Sequence, residues 1–305
     1  MIWPEGKQFA FTIIDDTDNA TLSNVKPVYD FLYSIGLKTT KTVWIYPPKD
    51  SYTGDCLQDE EYKKFILELD NKGFEIASHG VGSGKFTRTE IIEGFDYYQS
   101  VLNRYPKIHI NHSQNENNLY WGAKRFIWPL SWFMKLVQME FQGEREGSIF
   151  FWGDFAKKHV AFIRNLVFSE INTLKCDPEM PYRERSKSLF SNYWFSSSDG
   201  HTVEEFVDLI DQENINQLVK EGGCCIVYTH FASGFVNHDG KLDQRFKSRM
   251  ENLVKQNGWF VPAGKILSHL RSKKKSDDFV HRNYLLKLNA RWLLSRLKKR
   301  VKYNR

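Results

Sequence analysis

The chain has 305 residues, 41% of them hydrophobic and 26% charged, which excludes a disordered polypeptide and allows one large α/β domain or two smaller ones. Aromatic residues make up 15%, more ring surface than a core requires, and this points to a surface that stacks on flat ligands such as sugar rings or on lipid headgroups. From Arg271 onward thirteen Lys and Arg stand against Asp277 and Asp278, a net of +11, so the first 270 residues carry −5 of the overall +6. A mildly acidic body with a basic tail suits an anionic partner, membrane before nucleic acid, since no basic–aromatic nucleic-acid motif occurs elsewhere.

In chain order, Phe9–Ile14 is a β-rich run that ends in Asp15-Asp16-Thr17-Asp18. A helix is predicted over 25–35 with Gly36 as its stop, then a strand over 39–45 closed by Pro47-Pro48. A helix over 59–72 leads into the short strand 74–77, which delivers Ser78-His79-Gly80. A helix over 88–104 and a strand over 107–110 follow, the latter delivering Asn111-His112-Ser113. Residues 124–190 break the rhythm with Phe126, Trp128, Trp132, Phe133, Phe141, Phe150, Phe151 and Trp152, and are expected to form a mostly helical, aromatic-rich insertion or lid.

The rhythm resumes at Trp194–Asp199, followed by Gly200-His201 and a helix over 202–220 that opens on a capping box at Thr202. The buried strand 226–229 delivers His230, a helix covers 246–256, and 258–262 forms a last short strand or turn. Tyr284–Tyr303 has apolar residues at helical spacing with Lys and Arg between them, the pattern of a basic amphipathic helix on a membrane surface or docked on the body. Cys56, Cys176, Cys224 and Cys225 lack metal-ligand spacing and suit buried free thiols in a reducing compartment. The opening residues lack the basic and long apolar parts of a signal peptide, so the expected location is cytoplasmic, with peripheral attachment to the inner membrane face as an extension.

Alternating strands and helices imply parallel strands with helical crossovers, and such sheets and barrels gather their sites at the C-terminal strand ends. Asp16, His79 and His112 all sit at such ends, so one rim would bring them together as ligands of a divalent metal. Asp15 and Asp16 point to opposite sides if the strand continues through them, which would let one bind metal and the other act as a base. Asp199 and His201 stand at a further strand end.

The stretch Phe11–Thr17, with its Asp-Asp pair, resembles the opening motif of the polysaccharide deacetylases (NodB homology, carbohydrate esterase family 4). Glu75–His79 is similar to their second motif and Cys225–His230 to their late strand. The resemblance implies a distorted (β/α) barrel of seven strands over residues 1–270, with the insertion at 124–190 and the tail at 271–305 appended. It implies Asp15 as general base, Asp16 and His79 as metal ligands, and His230 as the acid that protonates a leaving amine. The metal would be Zn, with Co, Ni or Mn as substitutes.

Two departures stand out. The family's second histidine of that motif is replaced by Ser83, and His112 is the candidate that takes its place. The family's third motif is altered to Asn111-His112-Ser113-Gln114-Asn115 ahead of Tyr120-Trp121-Gly122. Asn111, Asn115, Tyr120 and Trp121 are therefore substrate-binding candidates, joined by Asp199 and His201 from their own strand end, where the alternative role is to orient His230. The implied function is removal of an N-acetyl or N-formyl group from a sugar or lipid-linked sugar in surface-polysaccharide or glycolipid synthesis. The alternatives are a non-catalytic carbohydrate-binding descendant, suggested by Ser83, and a metal hydrolase acting on a non-sugar amide.

Overall fold

The computed structural model describes residues 3–113, 115–136 and 140–303. Gln114 of the altered third motif lies outside the described residues. Eight strands form one parallel sheet: β1 Phe9–Asp15, β2 Thr40–Val43, β3 Glu75–Ser78, β4 Ile108–His109, β5 Phe162–Phe168, β6 Tyr193–Asp199, β7 Cys224–Thr229 and β8 Gly258–Phe260. Their order is β2-β3-β4-β5-β6-β7-β1-β8, and a further pairing of β1 with β2 closes β1–β7 into a seven-stranded barrel. The free edge of β1 is divided along its length: Phe9–Phe11 pair with β8 and Ile14–Asp15 with β2. This is the expected (β/α) barrel, with β8 wedged in where β1 and β2 diverge.

Side chains alternate between the barrel interior and the helical layer. Ala10, Ile14, Ala77, Ile108, Ile110, Phe162, Phe195, Ile226 and Tyr228 belong to the interior cluster, which Trp3 and the helix Ala263–Ser272 plug at the N-terminal end. Phe9, Phe11, Ile13, Val43, Ile76, Cys225 and Val227 belong to the other cluster, packed under the helices Leu22–Ser34 and Glu60–Asn71. Extending this parity past the strand ends puts Asp16, His79, His112 and His230 on the interior face. It puts Asp15 on the helical face.

The expected lid over 124–190 is corrected by β5, a barrel strand lying within it. Its run Phe162-Ile163-Arg164-Asn165-Leu166-Val167-Phe168 hides in sequence because Arg164 and Asn165 interrupt the apolar pattern. A register shift between Arg164 and Val167 absorbs the break. From the stretch ahead of β5, Trp121 and Arg125, beside and in the turn Gly122–Arg125, line the cleft at the barrel mouth, and the helix Leu130–Lys135 follows them.

The boundary expected at residue 270 falls inside the helix Ala263–Ser272, and the tail docks on the barrel. The helix Arg282–Tyr303 buries Leu285, Leu288, Asn289 and Ser295, and its Trp292 ring lies 4.6 Å from that of Phe126. Its basic residues meet acids of the body: Lys299 reaches Asp199 and Glu205 at 2.7 Å, Arg296 reaches Asp199 at 3.1 Å and Lys302 reaches Asp208 at 3.0 Å. Part of the charge asymmetry is thus answered within the molecule. All four cysteines are buried and free.

Candidate metal centre and cleft

A cleft of about 810 Å³ opens at the C-terminal end of the barrel, lined at its floor by Asp16, Asp18, His79 and His230. Asp16 directly follows β1, and its Oδ1 accepts the Asp18 N–H at 2.9 Å, a tight turn that folds Asp18 back toward the axis. His79 directly follows β3, and its Nδ1 lies 3.0 Å from the Ile110 carbonyl. A carbonyl can only accept, so Nδ1 carries a proton and Nε2 is the ring atom turned to the cleft floor. His112, beyond β4, places Nε2 3.4 Å from Ser83 Oγ.

These groups converge. His79 Nε2 is 3.2 Å from Asp16 Oδ2 and 3.2 Å from Asp18 Oδ1, and His112 Nε2 is 3.3 Å from Asp18 Oδ2. His230 Nε2 stands 3.5 Å from Asp16 Oδ2. Two overlapping ligand sets arise, Asp18–His79–His112 and Asp16–Asp18–His230, each with its atoms within 4.8 Å of one another. Asp16 Oδ2, Asp18 Oδ1 and His79 Nε2 are buried without a hydrogen-bond partner, the condition a divalent cation would relieve. Imidazole with carboxylate is a donor set that suits zinc and its neighbours, so the residues fit such an ion. Burial pushes the Asp18 carboxyl up, but His79 and His112 outweigh it and hold the group well below the ordinary carboxylate range. Burial likewise opposes charge on His79, and Asp16 and Asp18 overcome it.

Asp18 is the group that sequence reasoning missed. The strand has ended by then, and it is the turn closed on Asp16 Oδ1, not a continued alternation, that brings it to the floor.

Asp15 takes a different place from the one expected of a base. Its Oδ2 is 2.9 Å from Lys41 Nζ and accepts Tyr29 Oη–H at 3.0 Å, while Oδ1 accepts the Phe231 N–H at 2.8 Å. Asp15 and Lys41 are register partners on β1 and β2, both wholly buried, and neither lines the cleft. Burial pushes the Asp15 carboxyl up against the pull of Lys41. The carboxylate clamps the peptide after His230 to β1.

The substrate-binding candidates divide. Trp121, Asn111, Asp199 and His201 line the cleft. Asn111 is occupied, however, exchanging two hydrogen bonds of 3.0 Å with the Leu119 backbone, and Asp199 is paired with Arg296 and Lys299. Asn115 pins the loop after β3 through Gly82 O at 2.8 Å and Gly84 N at 2.7 Å, so it serves the backbone. Tyr120 lies off the lining, with its ring 6.1 Å from that of Trp194. The His201 ring is 4.0 Å from the His230 ring. Arg125, Arg164 and Trp292, none of them expected, complete the walls.

Barrel and cleft together define a deacetylase-type (β/α) fold, and solved polysaccharide deacetylases share it. A protein described as a polysaccharide deacetylase from Mycobacterium smegmatis superposes with a TM-score of 0.53 at 11% identity, covering 92% of this chain and 96% of its own. One so described from Pseudomonas aeruginosa PAO1 gives 0.52 at 10% identity, covering 90% and 94%. The PuuE allantoinase gives 0.52 at 11% identity, also covering 90% and 94%. No protein-family model and no curated protein sequence matches the chain. Identities this low are what a divergent branch of the fold would have.

Proposed function

We propose that the chain is a metal-dependent amide hydrolase that removes an acetyl or formyl group from the nitrogen of a sugar. The observation that carries this reading is the convergence of Asp18, His79 and His112 at the end of the barrel, where Asp16 Oδ2, Asp18 Oδ1 and His79 Nε2 are buried without a hydrogen-bond partner. These three side chains would hold the ion, zinc first and cobalt, nickel or manganese after it, with Asp16 Oδ2 beside them. When bound, a divalent ion supplies Lewis acidity at the acyl oxygen and acidifies water.

The rest falls to this chain's own residues. Asp16, 1% exposed, faces both His79 and His230 and is the carboxylate placed to take a proton from water entering the floor. His230 Nε2 faces Asp16, and the imidazole stands at the cleft wall where it can hand a proton to the departing amine. Asp15 acts through position: by holding the Phe231 N–H it fixes the backbone that carries His230. Trp121 and Tyr52 offer flat faces for a sugar ring.

The allantoinase on the same fold favours a second reading, in which the amide belongs to a non-sugar substrate. Release of acetate or formate is measured across acylated amino sugars and ureide-type amides, with His79→Ala as the blank. Turnover of the sugars supports the proposal and turnover of the ureides alone replaces it. Absence of both, with no zinc uptake, favours the carbohydrate-binding alternative.

A lipid-linked sugar at an anionic membrane face is the extension of this reading. Exposed Trp128, Trp132 and Phe133 beside the cleft support it. No helix among the described residues is long and apolar enough to cross a membrane.

A further inference from the structure

Two arginines in the cleft have more donors than partners. Arg164, on the interior face of β5, is 4% exposed, and its Nε and Nη1 have no hydrogen-bond partner. No carboxylate among the described residues pairs with it, and its guanidinium lies 3.6 Å over the Tyr228 ring. Arg125, from the turn after Trp121, stacks 4.1 Å over that indole, gives Nη2 to the Asn165 carbonyl and keeps a buried, unpartnered Nε. Both line the same cleft as the Asp–His floor.

The basic side chains nearby have their own counter-charges. Arg296 and Lys299 meet Asp199, and Lys299 also meets Glu205. Arg164 draws only on the field of Asp16, Asp18 and Asp199 from beyond pairing distance. An ion held at the floor would cancel the charge of Asp16 and Asp18. The two arginines would then lose most of that field, and their largely enclosed charges would stand without compensation. Burial already pulls Arg125 down to about 9, and Arg164 and Arg296 add to the pull.

We infer that Arg164 and Arg125 form an anion subsite, so that the substrate of the proposed hydrolase carries a carboxylate or phosphate group close to its acylated nitrogen. A guanidinium presents its N–H groups in a fixed fork that matches either anion, and its stacking on Tyr228 or Trp121 fixes the plane of that fork. A neutral sugar would leave both cations unanswered. The inference rests on the hydrolase reading for the acyl group, but the anion selectivity is read by itself.

The test is calorimetric titration of the full chain with glucose, glucuronate and glucose 1-phosphate, run with and without zinc. At least one anionic sugar is expected to bind ten-fold or more tightly than glucose: glucuronate marks a carboxylate, glucose 1-phosphate a phosphate. Arg164→Met should abolish the preference while zinc uptake by mass spectrometry is unchanged. Arg125→Met reads the same loss at a half-buried position, should the first variant fail to fold. Equal binding of the three sugars overturns the inference, and so does a preference that survives both substitutions, since the ion itself would then be the anion's partner. Zinc uptake without anion preference leaves the hydrolase reading standing and removes this one. Anion preference without zinc uptake does the reverse.

Discussion

Lys41 Nζ lies 2.9 Å from Asp15 Oδ2, and both side chains are sealed from solvent between the barrel and its helices. Removing one partner of such a pair strands the other charge, at a cost of roughly 3–5 kcal/mol. Lys41→Met is therefore expected to lower the denaturant midpoint sharply, and the Lys41→Met/Asp15→Asn double variant to recover most of the loss. Activity separates the two roles open to Asp15. If it positions His230, the double variant keeps turnover within about ten-fold of wild type, whereas a general base would cost about a hundred-fold or more. A well-folded double variant with turnover abolished would restore Asp15 to the chemistry.

The floor makes a sharper demand on metal content. Asp18→Asn and His112→Ala each remove a donor from the set that also holds His79. Zinc affinity should fall by more than the roughly 10–100-fold typical of losing a supporting group. Asn115→Ala, which touches only the Gly82 and Gly84 backbone, should leave affinity near wild type. Zinc binding to the native state alone also raises stability, by about 4 kcal/mol at a thousand-fold excess over the dissociation constant, so a chelator should lower the melting temperature of wild type and not of Asp18→Asn. Equal metal content in all of these proteins would place the ion elsewhere.

Strand parity decided how much of this was legible beforehand. The ends of β1, β3, β4 and β7 were marked by β-rich runs closing on Asp or His, and Asp16, His79, His112 and His230 from those ends do come within reach of one another or of Asp18. The opposite orientations of Asp15 and Asp16 were also legible, but their consequence is the reverse of a shared site: the parity that sends Asp16 inward sends Asp15 to Tyr29 and Lys41. Lys41 could not be anticipated, because a buried lysine is indistinguishable in sequence from an exposed one until its register partner is known. Arg164 was lost together with β5, since the residue that equips the cleft is the one that breaks the strand's apolar signature. The docking of the C-terminal helix was beyond sequence because amphipathic spacing reports an apolar face and not what covers it.

A pH effect on stability should arise at a carboxylate that does not line the cleft. Asp177 is wholly buried, accepts Ser196 Oγ–H at 2.6 Å and the Tyr284 hydroxyl, and so ties β6 to the start of the C-terminal helix. Burial pushes its carboxyl up to about 6, against the hydrogen bonds from Ser196 and Tyr284. A raised pKa means that the folded state binds the proton more tightly than the unfolded one. The group's favourable contribution is thus full below about pH 4 and is lost as pH rises through 6. Two units correspond to roughly 3 kcal/mol. Asp177→Asn should flatten that part of the urea-midpoint profile between pH 4 and 7, and an unchanged slope would mean that Asp177 ionises freely in the native state.

The outer surface beside the cleft carries the last prediction. Trp128 is 66% exposed, Trp132 54%, Phe133 57% and Leu136 68%, while Leu294 and Val301 stand out from the neighbouring C-terminal helix. Phe126 against Trp292 and Ile127 N–H on Asn289 Oδ1 lock the two segments together, so these side chains belong to one edge of the molecule. Exposed tryptophan and phenylalanine in a basic setting suit the headgroup region of an anionic bilayer. Yet Arg296, Lys299 and Lys302 are engaged by Asp199, Glu205 and Asp208, which leaves less charge for lipid than the count of +11 suggests. Aromatic contact should therefore contribute as much as charge. The full chain is expected to sediment with vesicles rich in anionic lipid, less so in high salt, and Trp132→Ser/Phe133→Ser to weaken the association about ten-fold. Wild type that stays in the supernatant with such vesicles at low salt has no membrane partner on this edge, and the exposed rings must then be covered by something else.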